Sequence, residues 1–146
     1  MQHLKLHPEA KQALDGALSA HGLRSTRQRD HVFAVLLAKR DHPTAEEVFE
    51  RSQQGMPSIS LATVYNCLEN LVASGLVKQV NIEREPSRYC PNLAEHAHFH
   101  CRQTGRVYDI ALPPSVVFHL KEILPEIFTA DSIEIAFHGK SLQSTA

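Results

Sequence analysis

Three histidines alternate in the run His96-Ala97-His98-Phe99-His100-Cys101. On a strand, residues i, i+2 and i+4 project from one face, so this spacing stands three imidazoles in a row. Imidazole is the commonest metal ligand, and the chain carries ten histidines among 146 residues. A small turn over Gln103 to Arg106 would return the chain and set Asp109 opposite His98 or His100, according to register. Two imidazoles and a carboxylate make a divalent-metal site. Cys90 lies six residues before His96. Alone it reads as a small core residue; beside the histidine row it becomes a candidate thiolate ligand. His42 precedes Pro43 and reads alone as a surface or helix-start residue. His21 and His31 fall on expected helices with no partner evident from the sequence, and His119 and His138 read as surface or packing residues. A catalytic metal needs an open coordination position and a nearby acid or base. No Ser/His/Asp set, phosphate loop or HExxH run is present, so the reading is not an enzyme. A zinc metalloenzyme using His96, His98 and Asp109 is the remote alternative.

A second group of residues carries a different chemistry. At about 100° per residue, Leu61, Val64, Cys67, Leu68, Leu71 and Val72 fall in one arc of a helix. Thr63, Asn66 and Asn70 fall opposite, with Tyr65 at the border. That outward face reads as polar and uncharged, rich in groups that donate and accept, which suits base edges in a major groove. Upstream, Gly22 to Arg40 holds Arg24, Arg27, Arg29, Lys39 and Arg40 against the single acid Asp30. Such a patch suits phosphate contact, which positions a protein on DNA without reading sequence.

The elements that must hold these residues follow from periodicity and caps. Residues 9–21 have helical apolar spacing and end at Gly22. Ser25 or Thr26 can cap a helix to about Lys39, with Val32, Phe33, Leu36 and Leu37 as its buried stripe. Thr44-Ala45-Glu46-Glu47 reads as a capping box for a helix ending near Gly55. Ser60 starts a fourth helix, closed at Gly75. Residues 76–82 alternate as a strand, residues 83–86 turn, and 88–90 return. Helices followed by a hairpin give the order of a winged helix-turn-helix; a plain helical bundle with a loose hairpin is the runner-up. Strands are expected over 96–101, 106–110 and 132–137, with a helix from Pro113 or Pro114 to about Leu124. The fold class is therefore α+β, with a winged-helix domain over 1–91 and a small α/β domain over 92–146. A piece that small is marginal alone and would gain by pairing with a second copy.

Composition sets the outer limits. The chain is 42% apolar with a formal net charge of −1, enough for a core and too balanced for a uniformly basic coat. No apolar run approaches the roughly 18 residues that span a bilayer. The N-terminal residues do not read as a signal peptide, so a cytoplasmic protein without membrane association is expected. Three cysteines give no disulfide framework.

These pieces resemble the ferric uptake regulator superfamily of bacterial metal-dependent repressors. The resemblance is carried by Gly22-Leu23-Arg24-Ser25-Thr26-Arg27-Gln28-Arg29, by His42-Pro43-Thr44-Ala45-Glu46-Glu47-Val48-Phe49, and by Ser60-Leu61-Ala62-Thr63-Val64-Tyr65-Asn66. It continues through Ser74-Gly75-Leu76-Val77, Arg88-Tyr89, the histidine run and Gly105-Arg106-Val107-Tyr108-Asp109. It implies a homodimeric repressor on double-stranded operator DNA, with no small organic substrate. It implies an N-terminal winged helix, a C-terminal dimerisation domain, and one regulatory divalent metal per chain between them. Its ligands would be His42, Cys90, His96, His98 and Asp109. Base edges would fall to Thr63, Tyr65 and Asn66, and phosphates to Arg24 and Arg27. Two departures from the family pattern follow. Where many members hold a structural zinc with two Cys-x-x-Cys pairs, this chain has Cys101-Arg102-Gln103-Thr104 and Ser141-Leu142-Gln143-Ser144, so that zinc is expected to be absent. A further family metal site also reads as lost, with Glu95, Ala97, Val116 and Ile133 at its positions. Cys90 stands where iron- and peroxide-sensing members usually carry a carboxylate. A thiolate is softer, which favours Zn2+ over Fe2+ or Mn2+ and resembles the zinc uptake regulator branch.

Overall fold

The computed structural model describes residues 4–81, 84–91, 96–130 and 133–142. Ile82 and Glu83 of the expected hairpin, Glu95, Ser132 and Ser144 lie outside the described residues. The chain divides into two compact units, Met1–Leu93 and Ala94–Ala146. Among the described residues, no helix is long and apolar enough to cross a membrane.

The first unit contains α1 (Pro8–Ala20), α2 (Arg27–Ala38), α3 (Ala45–Gly55), α4 (Leu61–Ala73), β1 (Lys78–Val80) and β2 (Arg88–Cys90). Local chemistry sets each helix boundary. Pro8 opens α1 at a position where a missing N–H costs nothing. Gly22, at φ 70°, ends it, with the Leu23 N–H donating to the Leu18 carbonyl at 2.8 Å. A left-handed residue followed by this backward bond satisfies carbonyls the helix would leave open. Thr26 caps α2 by accepting from the Arg29 N–H at 3.1 Å. The Thr44–Glu47 capping box forms at α3 as its sequence requires, and Ser60 caps α4 through the Thr63 N–H.

The core gathers Leu14 and Leu18 of α1, Val48 of α3, and Leu68 and Leu71 of α4 around α2. The stripe expected on α2 is broader than its sequence indicates. His31, Val32, Phe33, Ala34, Val35 and Leu36 are all buried, whereas Leu37 is only half-buried. A helix packed against both α3 and α4 has little outward face in its middle turns. After Gly75, the strand is shorter than its alternation implies. Leu76 and Val77 are buried but stand outside the ladder, and Lys78, Gln79 and Val80 pair antiparallel with Cys90, Tyr89 and Arg88.

The second unit contains β3 (His96–Cys101), β4 (Val107–Ala111), α5 (Pro114–Glu122) and β5 (Ala136–Gly139). The sheet order is β4-β3-β5, antiparallel on one side of β3 and parallel on the other. Gly105, at φ 73°, lets the chain turn between β3 and β4, and its N–H donates to the Cys101 carbonyl at 2.8 Å. The last strand is Ala136–Gly139, so of the described part of the expected 132–137 only Ala136 and Phe137 lie in it. Its position is set by pairing to β3, from His98↔Ala136 to Cys101↔Gly139, and local alternation carries no information about that partner.

Candidate metal centre and nucleic-acid interface

Each unit holds a group of side chains of types that can ligate a metal. In the first, His42 sits in the loop between α2 and α3 and Cys90 ends β2; both are buried. Their ligand atoms lie within 4.8 Å of each other. The loop is closely held. Asp41 accepts two bonds from the Arg51 guanidinium, at 2.7 and 2.8 Å, and that bonded charge holds its carboxyl below the usual range. The Tyr89 N–H donates to the Pro43 carbonyl at 2.9 Å, and Thr44 bridges to Arg88. A histidine and a thiol brought this close make a soft nitrogen–sulfur pair of the kind zinc takes.

In the second unit, the β3–β4 register sets His98 opposite Asp109. The sequence leaves His98 and His100 as alternatives, and the turn length decides for His98. The Nε2 atoms of His96 and His98 approach to 3.0 Å, and each lies 3.3 Å from Asp109 Oδ1. Ligands at about 2.0–2.2 Å from one tetrahedral ion stand roughly 3.3–3.5 Å apart. Both nitrogen–oxygen separations match that spacing, and the nitrogen–nitrogen one is about 0.3 Å shorter, so a small outward shift of one imidazole would let the three atoms share one small cation. His100, third in the row, turns away from this group. Its ring stacks on His138, with centroids 4.7 Å apart, and lies 6.4 Å from the His98 ring. The parallel pairing of His100 with His138 accounts for that partner, which no local spacing could reveal.

The outward face of α4 differs in part from its helical wheel. Tyr65 is 43% exposed and Asn66 is exposed. Thr63 is half-buried, and its hydroxyl shares a 2.8 Å bond with the Ser60 hydroxyl at the cap. Asn70 donates to the Asn66 side-chain oxygen at 3.1 Å. The face is not uncharged as its sequence reading has it, because Glu69 is also exposed there. Burial pushes the Tyr89 phenol above its usual range, and Tyr65 and Glu69 add to that shift.

Arg24 and Arg27 are exposed, and among the described residues no carboxylate lies within ion-pairing distance of either. The one acid of this segment is already engaged. Asp30 accepts from Lys11 at 2.8 Å and from Ser25 at 2.9 Å. Burial acts to lower the Lys11 ammonium, but bonds to Asp30 and Asp15 outweigh it and hold the group above its ordinary value. His31 does have a partner, contrary to its sequence reading: Nε2 lies 2.8 Å from the Ser52 carbonyl oxygen, 21 residues away.

Sequence reasoning gives no functional weight to Arg88. It shares a face of β2 with Cys90, and a guanidinium nitrogen donates to the His42 carbonyl at 3.0 Å. Period-2 spacing from a candidate ligand is the signal that could have found it.

Comparison with known proteins bears on both groups. The family model described as "Ferric uptake regulator family" matches residues 20–138. The peroxide-responsive repressor of Staphylococcus aureus is 34% identical over 97 residues. That match covers 66% of this chain and 66% of the relative's own length, just under two thirds of each. The structure of the Helicobacter pylori ferric uptake regulator superposes with a TM-score of 0.76 at 21% identity, over 97% of this chain and 95% of that one. The ferric uptake regulator from Pseudomonas aeruginosa with manganese gives 0.72 at 25% identity, over 88% and 97%. The architecture is thus α+β, an N-terminal winged helix followed by a small α/β unit.

Proposed function

The chain belongs to the ferric uptake regulator family, and from that premise we propose that it is a metal-dependent DNA-binding repressor, not an enzyme, that acts as a homodimer. The observation that carries this reading is the pair of incomplete ligand groups, one in each unit. His42 and Cys90 are two donors, and His96, His98 and Asp109 are three. Neither group alone completes a closed shell of nitrogen, sulfur and oxygen around a regulatory ion.

The proposed site takes all five residues. A bound divalent ion supplies a fixed charge and a coordination geometry that its ligands must share. His42 and Cys90 would hold the DNA-binding unit, over residues 1–91, to that geometry. His96, His98 and Asp109 would hold the dimerisation unit, over 92–146. In a dimer this restricts the spacing of the two α4 helices, and half-site spacing is what operator DNA selects. Without shared ligation the chain samples further spacings and binds more weakly, which is a population shift. Tyr65 and Asn66, with Thr63 at the cap, are proposed to meet base edges, and Arg24 and Arg27 to meet phosphates.

Zinc is the favoured ion, because the buried Cys90 thiol offers a soft ligand. A second reading is favoured by likeness alone: the relative from Staphylococcus aureus is named a peroxide-responsive repressor and the Pseudomonas aeruginosa ferric uptake regulator is solved with manganese, so an iron- or manganese-responsive regulator using the same ligands is the alternative. Two measurements test the proposal. Elemental analysis of protein purified without added metal names the ion, with one zinc per chain expected. A gel shift on genomic fragments, with and without chelator, should show binding that chelation weakens. Binding insensitive to chelator would sink the regulatory reading.

A further inference from the structure

His42 has a backbone that its sequence disfavours twice. It lies at φ 56°, in the left-handed region that non-glycine residues seldom occupy. It also precedes Pro43, and a following proline biases a residue toward extended backbone. Such a conformation persists only where the surroundings hold it, and an observed outlier of this kind is a sound starting point for function.

The surroundings can be named. The Arg88 guanidinium donates to the His42 carbonyl at 3.0 Å, across 46 residues of sequence. The same guanidinium lies 3.9 Å from Glu47 Oε1, and Glu47 is fixed in the capping box of α3. On the backbone, Tyr89 N–H donates to the Pro43 carbonyl, and Thr44 bridges to Arg88. The loop thus runs as a short third edge along β2. Arg88 and Cys90 stand two residues apart on β2, so they project to the same face. The arginine that grips the His42 carbonyl is therefore on the strand that presents the thiol.

We propose that Arg88 is the positioning residue of the first unit's ligand pair. By bonding the His42 carbonyl while leaning on Glu47, it holds the loop in its left-handed turn and keeps the imidazole within reach of Cys90. The assignment rests on the reading of His42 and Cys90 as ligands and deepens it. It also makes β2 the element through which ligation bears on the wing. Both contacts come from one terminal nitrogen, Nη1, at the end of the arginine stem; lysine keeps the charge but is one atom shorter and does not set a nitrogen at that point.

The test measures zinc affinity of the full chain, by competition with a chromogenic chelator, beside the cobalt(II) absorption spectrum and the thermal midpoint of the apo protein. Loss of an outer partner of a metal ligand typically weakens affinity by about 10–100-fold. Arg88→Ala is expected to fall in that range and to perturb the cobalt ligand-field bands while the thiolate charge-transfer band persists. Arg88→Lys, which keeps the charge beside Glu47, covers the case in which alanine does not fold, and should lose several-fold affinity. Cys90→Ser is the control for the underlying reading. If Cys90→Ser weakens zinc binding while folded Arg88 variants bind zinc as the parent does, the inference is overturned and the ligand assignment stands. If Cys90→Ser also binds zinc unchanged, the ligand assignment is overturned, and the inference with it. A lowered thermal midpoint with unaltered affinity and spectrum would show a merely structural arginine and overturn it likewise.

Discussion

The two units treat their apolar side chains in opposite ways. In the first, leucines and valines from four helices are fully buried, and Tyr65 is its only exposed large apolar side chain among the described residues. In the second, the buried apolar set among the described residues is Ala97, Cys101, Val107 and Val117, all small or medium. Several of its large side chains lie outside: Phe118, Ile123, Ile127, Phe128 and Phe137 are each more than half exposed, Ile127 by 84%. A unit of this size cannot enclose that much apolar surface by itself. Exposure of several large apolar side chains on so small a unit suits a surface that meets a partner. The contrast teaches that the first unit encloses its large apolar side chains while the second leaves many of its own exposed, which supports the proposed homodimer.

The strongest way to break this contrast is to damage each unit in turn. Leu68→Ala, at a fully buried position of α4, should cost about 2–5 kcal/mol in denaturant unfolding, at every protein concentration. Ile127→Ser should leave the first unit's unfolding unchanged but shift the monomer–dimer equilibrium toward monomer, read by sedimentation equilibrium. If Ile127→Ser leaves association unaltered and no other exposed apolar position affects it, the second unit's face is not an interface.

The next effect sharpens the division of labour on DNA. Asn66→Ala should relax sequence preference and cost roughly 1–3 kcal/mol on the preferred site. Arg27→Ala should weaken all sequences alike and lower the salt slope by about one. Titrations at several salt concentrations separate the two. A sequence-dependent loss in Arg27→Ala would mean that the basic segment also reads bases.

The smallest effect compares one thiol from each unit. Burial pushes the Cys67 thiol up to about 11. In the second unit, bonds from the Thr104 hydroxyl and neighbouring backbone N–H groups bring Cys101 down to about 7. In a Cys90→Ser background, thiolate absorbance should therefore rise first near pH 7 and again only near pH 11. Thr104→Val removes the leading cause and should move the first step upward. The folded value of Cys101 lies below its ordinary 9.0, so this thiol's contribution to stability is present in full above pH 9 and lost as pH falls through about 7.

What was legible in the sequence was local. Caps such as Thr26, Thr44 and Ser60, the left-handed glycines and the spacing of His96 and His98 state their structural consequences within a few residues. What was not legible depended on distant pairing. The register that selects His98 for Asp109, the parallel neighbour that moves the last strand to Ala136–Gly139, and the bond from His31 to Ser52 join residues with no shared periodicity. Arg88 belongs to the same class, since its hold on His42 spans 46 residues of sequence. His42 and Cys90 lie between these cases: each has an ordinary reading alone, and the resemblance of the surrounding motifs drew attention to them.

The start of α2 has a consequence for how folding and binding are linked. A helix carries roughly half a positive charge at its N-terminus, where arginine is unfavourable by about 0.3–1 kcal/mol. Arg27 is the first residue of α2 and Arg24 stands just before it, both exposed. The molecule thus gathers like charge at the positive pole of a helix dipole, and Asp30, the acid in that first turn, is already bound by Lys11. A phosphate placed there would relieve the repulsion of both arginines and of the dipole together. Anion binding should then stabilise the fold by more than one contact implies, so that the thermal midpoint rises with polyanion concentration and falls back as salt screens the same field.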